Sequence, residues 1–131
     1  MARPASEYPT ELELQILKIL WQASPRMVRD VRKALAEQGR DIAHTSVITT
    51  LNTMVRKKFL KRIKQGNAFL FSPRVTQQNV SHRMLDDLVE RVFDGSAASV
   101  MLSLFHGALV DPDELKELRR LINQKVKEQS P

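Results

Sequence analysis

Apolar residues return at three- and four-residue spacing from Leu12 through Ile16, Ile19 and Leu20, with Leu17 and Trp21 widening the stripe; this period predicts an amphipathic helix. Thr10-Glu11-Leu12-Glu13 is a capping box, in which the Thr hydroxyl and the Glu carboxylate each satisfy a free first-turn amide, so the helix should start there. Ser24-Pro25 should end it. Met27 is expected in a short strand, after which Val28, Val31, Ala34 and Leu35 mark a second helix that closes at Gly39, a natural left-handed cap.

A third helix is expected from His44 to about Lys57, and its two faces differ chemically. At 100° per residue Val47, Leu51, Met54 and Val55 cluster inward with Ile48 at the edge, while Thr45, Ser46, Thr49, Asn52, Thr53 and Arg56 point outward. Thr, Ser and Asn are mediocre helix formers, and a helix that only had to be soluble would be better served by Glu and Lys. Short hydroxyl and amide side chains do suit close approach to base edges and phosphates in a major groove. Leu60-Lys61-Arg62-Ile63-Lys64, the turn Gln65-Gly66-Asn67 and Ala68-Phe69-Leu70-Phe71 then read as a β-hairpin. Three helices followed by a hairpin with cations on its first strand is the pattern of a winged helix-turn-helix, whose wing grips the phosphate backbone. Phe69 and Phe71 are expected to face the core.

Beyond Pro73 the pattern becomes purely helical. Thr76 is a plausible cap for a helix carrying Val80, Met84, Leu85, Leu88, Val92 and Phe93, which Gly95-Ser96 interrupts. A short apolar helix follows from Ala97 to Phe105, with Val100, Met101, Leu102 and Leu104. Asp111-Pro112-Asp113-Glu114 opens a last helix with a cap residue, Pro at the first helical position and an acid three residues after the cap. Its stripe is Leu115, Leu118, Leu121, Ile122 and Val126. Three helices over so short a length cannot bury this many large apolar side chains among themselves, so a partner surface is expected, on Leu88, Val92, Val100, Leu102, Leu104, Leu115, Leu118 and Ile122. The fold class is mainly α: residues 1–73 form the winged domain, with 1–9 a flexible arm, and residues 74–131 a three-helix domain, which the family resemblance given below makes a dimerisation domain.

Charge points the same way. From Ile42 to Leu85 there is no Asp or Glu, yet Arg56, Lys57, Lys58, Lys61, Arg62, Lys64, Arg74 and Arg83 fall there. Residues 1–73 carry a net charge of +7 and residues 74–131 a net of −1. Segregation this sharp fits a polyanionic ligand, most simply a nucleic acid. The absence of Cys rules out disulfides, thiolate metal sites and Cys nucleophiles. His44, His82 and His106 lie far apart without metal-ligand spacing, no Gly-rich phosphate loop occurs, and Asp86-Asp87 with Glu90 looks like a solvated helix face. An enzyme is not expected, nor is a cofactor. The N-terminus lacks the apolar core of a signal peptide and no run is long enough to span a membrane, so a cytoplasmic location is expected.

These stretches resemble the penicillinase repressor family of winged-helix regulators, the BlaI/MecI/CopY group, over nearly the whole chain. Thr10 to Trp21 is similar to the family's first helix, Val28-Arg29-Asp30-Val31 to the start of its second, Ala43-His44-Thr45-Ser46-Val47-Ile48-Thr49-Thr50-Leu51 to its recognition helix, and Gly66-Asn67-Ala68-Phe69-Leu70-Phe71-Ser72-Pro73 to its wing. The resemblance implies a homodimeric repressor on an inverted-repeat operator. Operator-contacting helix positions fall on Thr45, Ser46, Thr49 and Arg56, alongside Asn52 and Thr53 on the same outward face; Lys57, Lys61, Arg62 and Lys64 are expected on the backbone. It also implies inactivation by a membrane-bound sensor protease pathway, with Ser103-Leu104 matching the cleaved bond, although the residue types differ from the Asn-Phe pair of staphylococcal members. Where the family has Gly after the recognition helix this chain has Lys58, which should take a left-handed conformation. Copper sensing through a C-terminal Cys cluster is excluded. The alternative is a winged-helix module that binds RNA or a protein, against which stands the expected core-facing placement of the aromatics.

Overall fold

A computed structural model describes residues 8–107 and 110–130; positions 1–7 of the expected arm lie outside the described residues. The elements are α1 (Glu11–Gln22), α2 (Val28–Glu37), α3 (His44–Arg56), β1 (Leu60–Gln65), β2 (Ala68–Pro73), α4 (Gln77–Val92), α5 (Ala97–His106) and α6 (Pro112–Gln129). The architecture is a winged helix-turn-helix followed by helices, the mainly α class that the periodicity predicts. The chain forms two compact units, Met1–Leu85 and Asp86–Pro131.

In the first unit the capping box closes as expected: the Thr10 amide donates to Glu13 Oε1 at 2.8 Å and the Glu13 amide to Thr10 Oγ1 at 3.2 Å. The predicted stripes meet in one core, with Ile16, Leu17 and Leu20 of α1, Val31 and Leu35 of α2, Val47, Leu51 and Met54 of α3, and Leu60 and Phe71 of the hairpin. The short strand expected at Met27 is a single β-bridge one residue earlier, where Arg26 and Phe71 exchange backbone hydrogen bonds of 3.1 and 2.8 Å. It goes no further because Val28 already opens α2.

α3 ends in a Schellman arrangement. The Lys58 amide donates to the Val55 carbonyl at 3.0 Å and the Phe59 amide to the Met54 carbonyl at 2.9 Å, with Lys58 at φ 69° as the missing Gly foretold. A side chain with a Cβ is strained there, whereas Gly39, which closes α2 the same way at φ 88°, is not. Lys58→Gly should therefore raise the stability of this unit by about 0.5–1 kcal/mol after allowing for the greater freedom of unfolded glycine. A thermal unfolding midpoint that does not rise would contradict this.

The hairpin is antiparallel and pairs Leu60 with Pro73 through to Gln65 with Ala68, leaving a two-residue turn, Gly66-Asn67, one residue shorter than expected. Gly66 has φ 63° at the first central position, where such turns need a positive φ. Burial falls from base to tip: Leu60 and Phe71 are buried, whereas Ile63, Lys64 and Gln65 are exposed.

The later helices start where their caps lie. Thr76 Oγ1 accepts from the Asn79 amide, Ser96 Oγ from the Ser99 amide and Asp111 Oδ1 from the Glu114 amide. Among the described residues of α5 and α6 no side chain is buried.

Candidate nucleic-acid interface

The outward face of α3 is open. Thr45, Ser46, Thr49 and Arg56 are exposed, and Asn52 and Thr53 are half-buried at its margin. The hydroxyls are already oriented: Thr49 Oγ1 donates to the Thr45 carbonyl at 2.9 Å, and the Arg56 guanidinium donates to Thr53 Oγ1 at 3.1 Å. Thr49 thus turns lone pairs and a methyl outward, with its proton spent on the helix. Ala43 precedes the helix and offers no side chain to its first turn; the Ser46 amide turns back to the Ala43 carbonyl at 3.0 Å, and the positive end of the helix dipole carries no side-chain cap.

Lys57, expected on the backbone with its sequence neighbours, is instead paired within the protein. Its Nζ sits between both oxygens of Glu13, at 3.0 and 3.1 Å. Glu13 is only 3% exposed, so one carboxylate caps α1 and also ties it to the C-terminal end of α3. That partner is 44 positions away, and no local pattern betrays it.

In the wing, Lys61, Arg62 and Lys64 are all exposed, but strand alternation divides them. Arg62 and Lys64 share a face with Leu60, and Lys61 lies on the opposite one. The Arg62 guanidinium donates to Asn52 Oδ1 at 2.9 Å and lies over the Phe69 ring, 4.6 Å from its centroid. Phe69 is 41% exposed, which corrects the expectation that it faces the core. Phe71, on the same face, is buried at the hairpin base, while Phe69 sits towards the tip, beyond the reach of the helices. The signal in the sequence for an outward Phe69 is its expected pairing opposite Lys64 and diagonal to Arg62.

His44, His82 and His106 are exposed, and among the described residues no group of His, Asp or Glu is placed to hold a metal. No helix is long and apolar enough to cross a membrane, again among the described residues.

In the second unit the residues expected to meet a partner lie largely open in the single chain. Leu88, Val92, Leu102, Leu104, Leu115 and Ile122 are exposed, and Val100 and Leu118 half-buried. Ser103 and Leu104 are exposed in the C-terminal half of α5. The charges of α6 pair along the helix. Arg120 donates to Glu117 at 2.6 Å, and this hydrogen bond holds the Glu117 carboxyl below its ordinary range and raises the guanidinium.

The model of the penicillinase repressor family matches residues 9–124, from the capped start of α1 well into α6. The chain belongs to that family. It is similar to the methicillin resistance regulatory protein MecI of Mammaliicoccus sciuri, at 21% identity over 86% of this chain and 91% of the relative. It is also similar to the transcriptional regulator BlaI of Mycobacterium tuberculosis, at 29% identity over 86% and 80%. In fold it resembles RosR of H. salinarum, with a TM-score of 0.52, 14% identity and 93% of each chain covered. The penicillinase repressor family is one of DNA-binding transcriptional repressors, not enzymes, and membership carries that general role to this chain.

Proposed function

We propose that the protein represses transcription as a homodimer on an inverted-repeat operator, with α3 in the major groove of each half-site and the wing on the flanking backbone. The observation that carries this reading is the coincidence, on one unit, of a helix without a side-chain cap bearing short polar side chains and a wing whose cations have no acidic partner among the described residues, in a stretch of chain without a single acid from Ile42 to Leu85. Thr45, Ser46, Thr49 and Thr53 supply the readout of base edges. Thr49, its proton already donated, suits an exocyclic amine of adenine or cytosine, or a thymine methyl. Arg56, Lys61, Arg62 and Lys64 supply phosphate contacts, joined by the positive N-terminal end of α3. Lys57 acts from behind, holding the helix through Glu13.

Dimerisation supplies the pairing of half-sites. Val80 and Met84 of α4 join the core of the first unit, but large apolar side chains farther along α4 and on α5 and α6 lie exposed among the described residues, and a second copy offers the matching surface. The domain division that suits this role is a winged domain over residues 1–73 and a dimerisation domain over 74–131. By family resemblance Ser103–Leu104 is the bond a sensor protease would cut, a clause that a chain left intact by its cognate sensor removes. Work of this kind is done in the cytoplasm.

A winged module for RNA or protein is the rival, and the exposed Phe69 is the observation in its favour, since RNA recognition uses exposed rings for stacking. The ring is taken up by Arg62, however, and its neighbours are cations. Titration of the protein into the duplex upstream of its own gene and into a scrambled duplex, at about 150 mM salt, decides between them. Selective binding of two subunits per site is expected; equal, weak binding to both duplexes would overturn the operator reading.

A further inference from the structure

Asn52 sits on the outward margin of α3, and sequence reasoning groups it with the base-reading residues. Its amide oxygen is instead occupied: Arg62 Nη1 reaches it from β1 at 2.9 Å. Arginine only donates, so it must be the amide oxygen, not the nitrogen, that faces the wing. Bidentate reading of adenine needs that oxygen and the amide nitrogen together, pointed at the same base. Arg62 is held from a second side by the Phe69 ring, 4.6 Å from its centroid and diagonal to it across the hairpin. The helix and the wing are thus joined at a guanidinium that has both a hydrogen-bond acceptor and a stacking surface, while its remaining N–H groups are free to donate.

We propose that Asn52 and Phe69 are positioning residues for Arg62. Resting on the operator reading above, they assign Asn52 to the orientation of a phosphate-binding arginine and not to base recognition. A long, flexible arginine loses rotamer freedom when it grips a phosphate; one already clamped by an amide and a ring has given up that freedom in the free protein. The clamp also fixes the angle between α3 and the wing at the point where both meet the ligand. Asn52 keeps its two amide donors for a phosphate or a water.

The clamp and the contact leave different signatures. Arg62→Ala should weaken binding and lower the slope of log affinity against log salt by about one per half-site, since a phosphate contact is lost. Asn52→Ala and Phe69→Leu should each weaken binding about 3–10-fold with the slope unchanged, because Arg62 still reaches the phosphate but must be ordered first. Phe69→Tyr should retain affinity, as the ring is retained. In the Arg62→Ala background neither Asn52→Ala nor Phe69→Leu should cost anything further.

The experiment is this set of variants of the full chain, titrated with operator and scrambled duplex over a salt series. Ring-current shifts of the Arg62 side-chain protons in the free protein are measured beside it. Loss of those shifts in Phe69→Leu, together with the non-additive affinities, supports the inference. Three results overturn it alone, leaving operator binding intact: additive losses, a loss of discrimination between the duplexes in Asn52→Ala, or unchanged affinity in both variants. A wild-type protein that binds neither duplex with a salt dependence overturns the operator reading itself, and the inference with it.

Discussion

Glu13→Ala should lower the stability of the N-terminal unit by about 2–4 kcal/mol, the largest loss expected from any single polar residue among those described. Two interactions vanish together. The capping box loses the carboxylate that accepts the Thr10 amide at 2.8 Å, a change worth about 1 kcal/mol. The Lys57 ammonium also loses its partner, and breaking a fully buried pair in this way costs about 3–5 kcal/mol. The Lys57 side chain keeps 20% of its exposure, so it can turn to water, and the expected loss falls below the sum. Glu13→Gln retains an acceptor for the cap and should cost less. Thermal unfolding of Glu13→Ala, Lys57→Ala and the double variant checks the claim. The double variant should be no worse than Glu13→Ala by more than about 0.5 kcal/mol, since both single changes break the same tie. Additive losses, or a Glu13→Ala midpoint equal to wild type, would show that the pair is an incidental contact. Because Lys57 caps the C-terminal end of α3, one residue after Arg56, loosening it should also weaken DNA binding at temperatures where the unit is still folded.

Local and periodic features of this fold were legible in the chain itself. The capping box from Thr10 to Glu13, the inward stripe of α3 and the left-handed Lys58 each depend on residues within a few positions of one another, where spacing determines geometry. What escaped was non-local. Lys57 belongs among the cations by sequence and against Glu13 by structure, because its partner is brought to it by the packing of α1 against α3. The strand at Met27 shrank to one bridge at Arg26, since a single pair of hydrogen bonds leaves no period to read. Phe69 and Phe71 share one face of β2 by alternation, but the hairpin buries Phe71, nearer its base, and leaves Phe69 exposed towards its tip. Arg62 of the wing reaches Asn52 of α3, a contact between residues ten apart that neither pattern contains.

Raising salt from about 50 to about 200 mM should weaken operator binding by about 10³–10⁴-fold, the expectation for roughly 6–8 phosphates neutralised by a dimer. Arg56, Arg62 and Lys64 in two subunits account for the lower bound, and Lys61, on the far face of β1, for the upper. Each neutralised phosphate releases its condensed counterion, and the entropy of that release falls as the bulk salt rises, so the slope counts contacts without reference to sequence. Lys64→Ala should flatten the slope by about two units in the dimer and weaken operator and scrambled duplex alike. Thr49→Ala should leave the slope where it is and narrow the gap between the two duplexes, by about 1–3 kcal/mol for a lost base contact. The opposite assignment is clearly distinguishable: if Thr49→Ala flattened the slope, or Lys64→Ala erased discrimination, the helix would be holding the backbone and the wing reading the sequence. A slope shallower than about −2 for the wild type would mean that the acid-free stretch from Ile42 to Leu85 meets few phosphates at all. Its charge would then serve solubility, and recognition would have to rest on the short side chains of α3 alone.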